Sequence, residues 1–366
     1  MGYILTIKTS ILVFPVLAYI ITMPYAIWMY RKYGSINFTK ALIIYSFILY
    51  LECCFFLVNL FEFIVEIGRA SRYVDMINLQ PFKFVLDFIK DNPLKISEQA
   101  TYLRAIKHGT FYVPAFNILM LVPFGIYLRY YFKCSLKKTI ALTALLSLIF
   151  ELIQLSGLFF IYEGPYRLCD IDDIIQNTMG GIIGYYIGGI VSLILPKREK
   201  LDEAALKKGK EVPGLRRMLA FAIDIFIINI VNAILKVMLP FSFEIIFILY
   251  FTIIPIWKGN TIGSKILRFH FEIENNNIIK LILRSLGLLV YFYGFPKLVK
   301  YIMNMLAGNI TTIEIALIYF ALMLTLVIYL IITVIIILKN KRFPFDKMLD
   351  VRYKSDIQVK NNELED

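Results

Sequence analysis

Arg167, Asp170, Asp173 and Asn177 stand in the spacing R-x-x-D-x-x-D-x-x-x-N where one long apolar segment ends and the next begins. Glu151 and Gln154 lie three apart within the preceding apolar segment, and Asn117 lies near the start of the one before that. Carboxylates inside or beside a bilayer are costly, so their default reading is functional. The chemistry they offer is recognition. A rigid guanidinium holds an anionic group, and the carboxylates hold polar or cationic ones.

The elements that must position these residues are membrane helices. The chain has 366 residues, 59% of them apolar, and a mean hydropathy of +0.71. Apolar runs recur along nearly its whole length without period-2 alternation, which excludes a barrel. The pattern predicts an all-α polytopic helical membrane protein of about nine transmembrane helices in two bundles. The spans fall at roughly 10–30, 41–63, 111–130, 139–161, 174–195, 218–238, 241–257, 283–303 and 315–338. Segment 241–257 is short, carries Glu244 near its start and follows Pro240, so it is expected to tilt or re-enter. The first span has no preceding basic run and no small-residue cleavage site, and reads as an uncleaved span.

The net charge of +12 would point to nucleic acid in a soluble protein. Here the charge collects in alternate connections. These hold Arg31, Lys32 and Lys40; Lys133, Lys137 and Lys138; residues 197–217; Lys258, Lys265, Arg268, Lys280 and Arg284; and Lys339, Lys341 and Arg342. The positive-inside rule then predicts a bacterial cytoplasmic-membrane protein with its N-terminus outside and its C-terminus in the cytoplasm, and no nucleic-acid partner. A charged linker at 197–212 separates a five-span domain, 1–196, from a four-span domain, 213–355. A polar tail, 356–366, follows. The outer connection 64–110 contains Glu66, Arg69, Arg72 and the stretch PFKFVLDFIKDNPL, which predicts an interfacial amphipathic helix ending before Pro93. The four cysteines show no metal spacing, and adjacent Cys53 and Cys54 are poor disulfide partners. No cofactor and no metal site are expected.

On a helix at about 100° per residue, Asp170, Asp173, Asn177, Gly181, Gly184 and Gly188 fall within an arc of about 80°. One face is therefore acidic at its outer end and glycine-lined further in, suited to close helix packing. Glu151 and Gln154 share a face and are predicted to meet it. The inferred outer polar site is Asn117, Glu151, Gln154, Arg167, Asp170, Asp173 and Asn177. Two readings stand beside a functional one: a polar network that only locks helices together, and Asp170 and Asp173 as helix-start residues favoured by the dipole.

The segments NILMLVPFGIYL (117–128), ELIQ (151–154) and RLCDIDDIIQNTMGGIIGY (167–185) resemble the VanZ-like family over residues 10–195. The resemblance implies a cell-envelope role at the outer face. The family's founding member is associated with resistance to the glycopeptide teicoplanin. The partners implied are membrane lipids and a lipid-linked wall component or lipoglycopeptide. In the second half, RRMLAFAID (216–224), WKGNTIGSKILRF (257–269) and FDKMLDVRY (345–353) resemble the RDD family, with Arg217, Asp224 and Asp346 at its motif positions. That resemblance implies, as the alternative function, a cation/proton transporter or ion-linked regulator centred on Asp224. A structural Arg217–Asp224 pair holding the helix to the GNTIGSK loop is the competing reading. That loop lacks the phosphate-loop pattern. An enzyme using Glu151 or Asp173 as a base has the weakest warrant, because neither His108 nor His270 neighbours a nucleophile.

Overall fold

The computed structural model of the chain describes residues 2–59, 73–161, 164–165, 167–235, 242–256, 259–273, 277–307 and 313–357. Glu66, Arg69, Arg72, Pro240, Lys258, the predicted span ends 60–63 and 236–238, and residues 358–366 of the tail lie outside them.

The protein is an all-α polytopic membrane protein. Eight of its described helices are long and apolar enough to cross a membrane. The chain divides into two compact units, Met1–Ile20 with Thr39–Leu201 and Ile21–Phe38 with Asp202–Asp366. The first holds the N-terminal part of α1 (Gly2–Tyr33), α2 (Phe38–Asn59), β1 (Ile77–Asn78), α3 (Lys83–Asp91), α4 (Tyr102–Ile106), α5 (Gly109–Tyr130), α6 (Leu136–Leu155), the turn α7 (Gly157–Phe160), β2 (Cys169–Asp170) and α8 (Ile171–Ile194). The second follows α9 (Arg198–Gly209) with α10 (Gly214–Leu235), α11 (Ser242–Ile253), α12 (Ile262–Ile266), β3 (Phe269–Glu272), α13 (Ile278–Leu289), α14 (Phe295–Ala307), α15 (Ile313–Leu338), α16 (Pro344–Met348) and β4 (Arg352–Ser355).

In the first unit α8 packs against both α5 and α6. The glycines decide how closely. A Cβ added at Gly180 would overlap the Ile118 carbonyl, one at Gly184 the Val122 carbonyl, and one at Gly125 the Gly181 carbonyl. Gly181 also faces Thr143 of α6. The predicted glycine stripe is thus a packing seam, with Gly180 and Gly125 added to it. Beside it, Cys54, Leu121, Phe124, Leu128, Cys134 and Phe150 form the apolar core. Ser135 caps α6 by accepting from the Lys138 amide, and Asp170 caps α8 by accepting from the Asp172 amide at 2.9 Å.

The span predicted at 139–161 is shorter than expected. α6 ends at Leu155, and Gly157, Leu158, Phe159 and Phe160 take left-handed backbone angles, with φ between 55° and 64°. Gly157 opens this turn at no steric cost. The amphipathic helix predicted in 64–110 runs from Lys83 to Asp91, with Asn92 at its C-cap.

In the second unit the four predicted passages share one end. Arg216, near the start of α10, donates to the Leu267 carbonyl at 2.7 Å. The Gly214 amide donates to Asn340, just beyond α15. α11 has 12 residues, about 18 Å of helix against a hydrocarbon core of about 30 Å. The GNTIGSK segment after it folds against α10: the Gly263 amide donates to Asp224 at 2.7 Å. A Cβ at Gly263 would overlap the Ala220 carbonyl. A π-helical turn, Val290–Gly294, joins α13 to α14. Its Tyr291 carbonyl accepts from the Tyr329 hydroxyl at 2.9 Å. Phe247, Phe251, Leu288, Phe343 and Phe345 form the core.

Two glycines of α8 separate packing from helix propensity. Gly184→Ala gains up to about 1 kcal/mol of helix propensity but drives a methyl into the Val122 carbonyl, at a cost of about 1–3 kcal/mol. Gly189 has open space around it. In detergent, Gly184→Ala is expected to lower the melting temperature by several degrees, and Gly189→Ala to leave it unchanged or raise it. Equal effects at the two positions would show that the seam does not set the stability.

Candidate functional site

The polar residues of the first unit gather where α5 and α8 begin and α6 ends. Asp173 is the hub. Its Oδ1 accepts from Asn117 Nδ2 at 2.7 Å, its Oδ2 faces Arg167 Nη2 at 3.7 Å, and its carbonyl accepts from Ser147 Oγ at 3.4 Å. Asn117 donates also to Gln176 Oε1 at 2.9 Å, and Asn177 donates to Ser147 Oγ at 2.8 Å. Glu151 Oε2 accepts from the Asp170 backbone amide at 2.9 Å. Glu151 therefore holds the start of α8 from the α6 side, while Asn117 holds it from α5. The charge of Arg167 acts on both Glu151 and Asp173. Arg167 keeps about a third of its side chain exposed, at 31% against 16% for Asp173. It is the cation that a ligand approaching this end meets.

Local folding explains the placement. Asp170 lies in β2, paired in parallel with β1, and turns the chain into α8 as its N-cap. Its Oδ1 also accepts from Asn78 Nδ2 at 3.0 Å. Asp172 points away from Asp173, but it is buried, and its two oxygens accept from the Phe82 and Phe84 amides at 2.6 and 2.9 Å. Those amides open α3, so Asp172 ties the amphipathic helix to the start of α8.

Of the seven predicted residues, Asn117, Glu151, Arg167, Asp170, Asp173 and Asn177 come together. Gln154 does not join them through its amide nitrogen, which donates to the Val58 carbonyl of α2 at 3.0 Å. One helical turn beyond Glu151 brings its side chain to a different neighbour. Asp170 takes the capping role, with Asp172 N as its donor. The glycine face of α8 is filled by α5 and α6, so it leaves no room for an acyl chain. Gln176 and Ser147 were not singled out in the sequence. Gln176 lies three residues after Asp173, and Ser147 four before Glu151, spacings that share a helix face. Two buried acceptors here, Gln154 Oε1 and Asn177 Oδ1, have no hydrogen-bond partner. Among the described residues no His/Cys/Asp/Glu group has the arrangement of a metal site. The arrangement combines an exposed guanidinium, a carboxylate hub and buried amide oxygens without hydrogen-bond partners.

In the second unit Arg217 and Asp224 do not pair. Arg217 Nη2 donates to the Lys341 carbonyl at 2.8 Å, and its guanidinium lies over Tyr353, 4.8 Å from the ring centre. Asp224 Oδ1 takes the Tyr250 hydroxyl at 2.5 Å and the Gly263 amide. Asp224 thus holds α10 to the GNTIGSK loop without Arg217. The buried Arg–Asp pair is Arg284 with Asp346, at 2.9 Å, closed by Tyr353 donating to Asp346 at 2.5 Å. Arg284 is therefore a helix residue turned inward and not part of a basic connection. Arg216, beside the predicted Arg217, is fully buried and donates to the carbonyls of Gly34, Gly209, Leu267 and Arg268. Arg217, Asp224 and Asp346 nevertheless line one cavity.

Residues 42–192 match the VanZ/LLP1 family model, and the chain carries that domain there. Over 94 residues, 25% of this chain, it is 33% identical to protein VanZ of Enterococcus faecium. The match covers 53% of that relative, so the chain spans about half the length of the curated protein it matches. No solved structure matches. The family segment contains all seven residues of the predicted polar site.

Cys169 reports on the site's field. Burial, and then the charges of Glu151, Asp170 and Asp173, push its thiol above the ordinary value. A raised pKa leaves less thiolate at neutral pH and slows alkylation. In a chain whose other cysteines are replaced by serine, Glu151→Gln combined with Asp173→Asn is expected to speed maleimide labelling of Cys169 at pH 7.5. Unchanged or slower labelling would mean that the carboxylates do not set its chemistry.

Proposed function

We propose that this protein is a bacterial cell-envelope membrane protein that lowers susceptibility to teicoplanin through the polar cluster at the start of α8. In this reading the cluster faces outward, the N-terminus lies outside and the C-terminus lies in the cytoplasm. The observation that carries the proposal is the convergence of Asn117, Glu151, Arg167 and Asp173 at one end of three packed helices, inside the segment that matches the VanZ/LLP1 model. The basic character of the opposite connections supports the orientation. Arg167 takes an anionic group of a lipid-linked wall component or of the glycopeptide. Asp173 and Glu151 hold the cluster in shape and offer it negative charge.

We further propose that residues 213–353 form an RDD-like domain. Its support is that Asp346 meets Arg217 and Asp224 at one cavity although it lies more than 100 residues after them in sequence. Asp224 is engaged by Tyr250 and Gly263, which favours a structural role over an ion-transfer one.

The test is teicoplanin susceptibility of a sensitive host with and without the full chain. Wild type is expected to raise the inhibitory concentration several-fold. Asp173→Ala and Arg167→Gln are expected to abolish the gain while the protein remains in the membrane, and Asp224→Asn to retain it. Full protection by both cluster variants would remove the site from the mechanism. No protection by correctly inserted wild type would remove the resistance reading itself.

A further inference from the structure

We infer that the cavity of the second unit is a binding site for a small inorganic anion of about the size of chloride or bromide. The cavity is partly open and has a volume of about 50 Å³. That exceeds the roughly 10–15 Å³ one water needs and admits a small anion, for which gluconate is the bulky comparison. Its polar wall is Arg217, Asp224, Thr261, Ser264, Arg284, Asp346 and Tyr353.

Most acceptors of this wall are already engaged. Asp346 takes Arg284 Nε on one oxygen and the Tyr353 hydroxyl on the other. Asp224 takes both Tyr250 and Gly263 on Oδ1. Thr261 Oγ1 takes the Ser264 amide, and Ser264 Oγ takes the Thr261 amide. The Tyr353 oxygen takes Arg284 Nη2 at 3.1 Å. The buried atoms left without partners on this wall are both donors, Arg217 Nε and Arg284 Nη1. The two side chains are more than nine-tenths buried, at 8% and 6% exposed. An unpaired buried donor costs about 1–3 kcal/mol, more when it is charged.

An occupant that accepts without donating fits this inventory. Water would satisfy the two guanidinium donors but would turn its own hydrogens toward occupied carboxylates or phenyl groups. The rest of the lining includes Phe221, Phe251, Phe269, Phe271, Phe292 and Phe343. These rings keep the cavity apolar around the two guanidinium groups, and Arg284 lies over the Phe271 face, 4.1 Å from its centre. The two carboxylates are each held by donors of their own, so the anion meets the two arginines rather than the aspartates. The anion joins α10, which carries Arg217, to α13, which carries Arg284, and so closes the unit around Asp346.

The experiment uses the full chain in neutral detergent, with sodium chloride, bromide or gluconate at matched ionic strength. A ligand that binds only the folded state raises the melting temperature in a saturable way. Chloride and bromide are expected to raise it by a few degrees over gluconate, and Arg217→Gln is expected to abolish the difference. Asp173→Asn, in the other unit, is expected to preserve it. X-ray absorption at the bromine edge on dialysed protein is expected to report one bound bromide per chain in wild type, a reading that needs no folded variant. Identical melting in all three salts with no bound bromide would overturn the proposal and leave water as the filling. A chloride gain that survives in folded Arg217→Gln would overturn it too.

Discussion

Where α5 and α8 cross, the two backbones touch. The Val122 carbonyl occupies the space a side chain at Gly184 would need, and the Gly181 carbonyl does the same at Gly125. In lipid no hydrophobic drive pushes helices together, so contact of this kind supplies dispersion energy that larger residues would forfeit. The polar cluster depends on it. Asn117 reaches Asp173 and Gln176 with one short amide, at 2.7 and 2.9 Å, only because the helices carrying them are this close. A methyl at the seam would spread the helix starts and leave a carboxylate unsatisfied at the bilayer edge, where an unpaired charge is costly.

The carboxylates outside the hub serve the same end. Glu151 binds a backbone amide rather than a side chain, so it fixes where α8 begins. Asp170 fixes how α8 begins, by capping it. Asp172 fixes what lies beside that start, through the Phe82 and Phe84 amides. With three carboxylates held by backbone amides, Asp173 is the one that meets side chains, Asn117 and Arg167. Arg167 is more exposed than Asp173.

Much of this was legible in the sequence, for definite reasons. Helical periodicity places Asp173, Asn177, Gly181 and Gly184 on one face whatever the tertiary structure, and apolar run length marks the spans. Asp172 was legible only as a residue off that face. Its partners lie some 90 residues earlier, at the start of the amphipathic helix, and helix periodicity there does not say which residue its first amides meet. Gln154 failed for a related reason: sharing a helix face with Glu151 limits direction, but it does not choose between α8 and α2 as the neighbour. The Arg217–Asp224 pairing failed because a helical repeat of seven aligns two side chains without bringing their tips together. Arg217 found a carbonyl and a ring, and Asp224 found the GNTIGSK loop. The true pair, Arg284 with Asp346, joins α13 to α16 and has no local signature. Arg216 shows the same limit. A run of two arginines at a membrane boundary reads as a solvated basic end, yet its first member is the largest fully buried side chain among the described residues.

The two units also differ in what they leave unsatisfied. In the first, the open buried atoms among the described residues include the amide oxygens of Gln154 and Asn177, both oxygens of Glu52 and the Thr178 hydroxyl, most of them acceptors. In the second, the open atoms at the cavity are guanidinium donors. A buried group without a partner costs the same whichever sign it carries, but it selects opposite ligands. In the first unit the buried amide oxygens suit groups bearing N–H or O–H donors, while the exposed Arg167 beside them suits an anionic one; at the cavity of the second unit the unpaired groups suit a species that accepts.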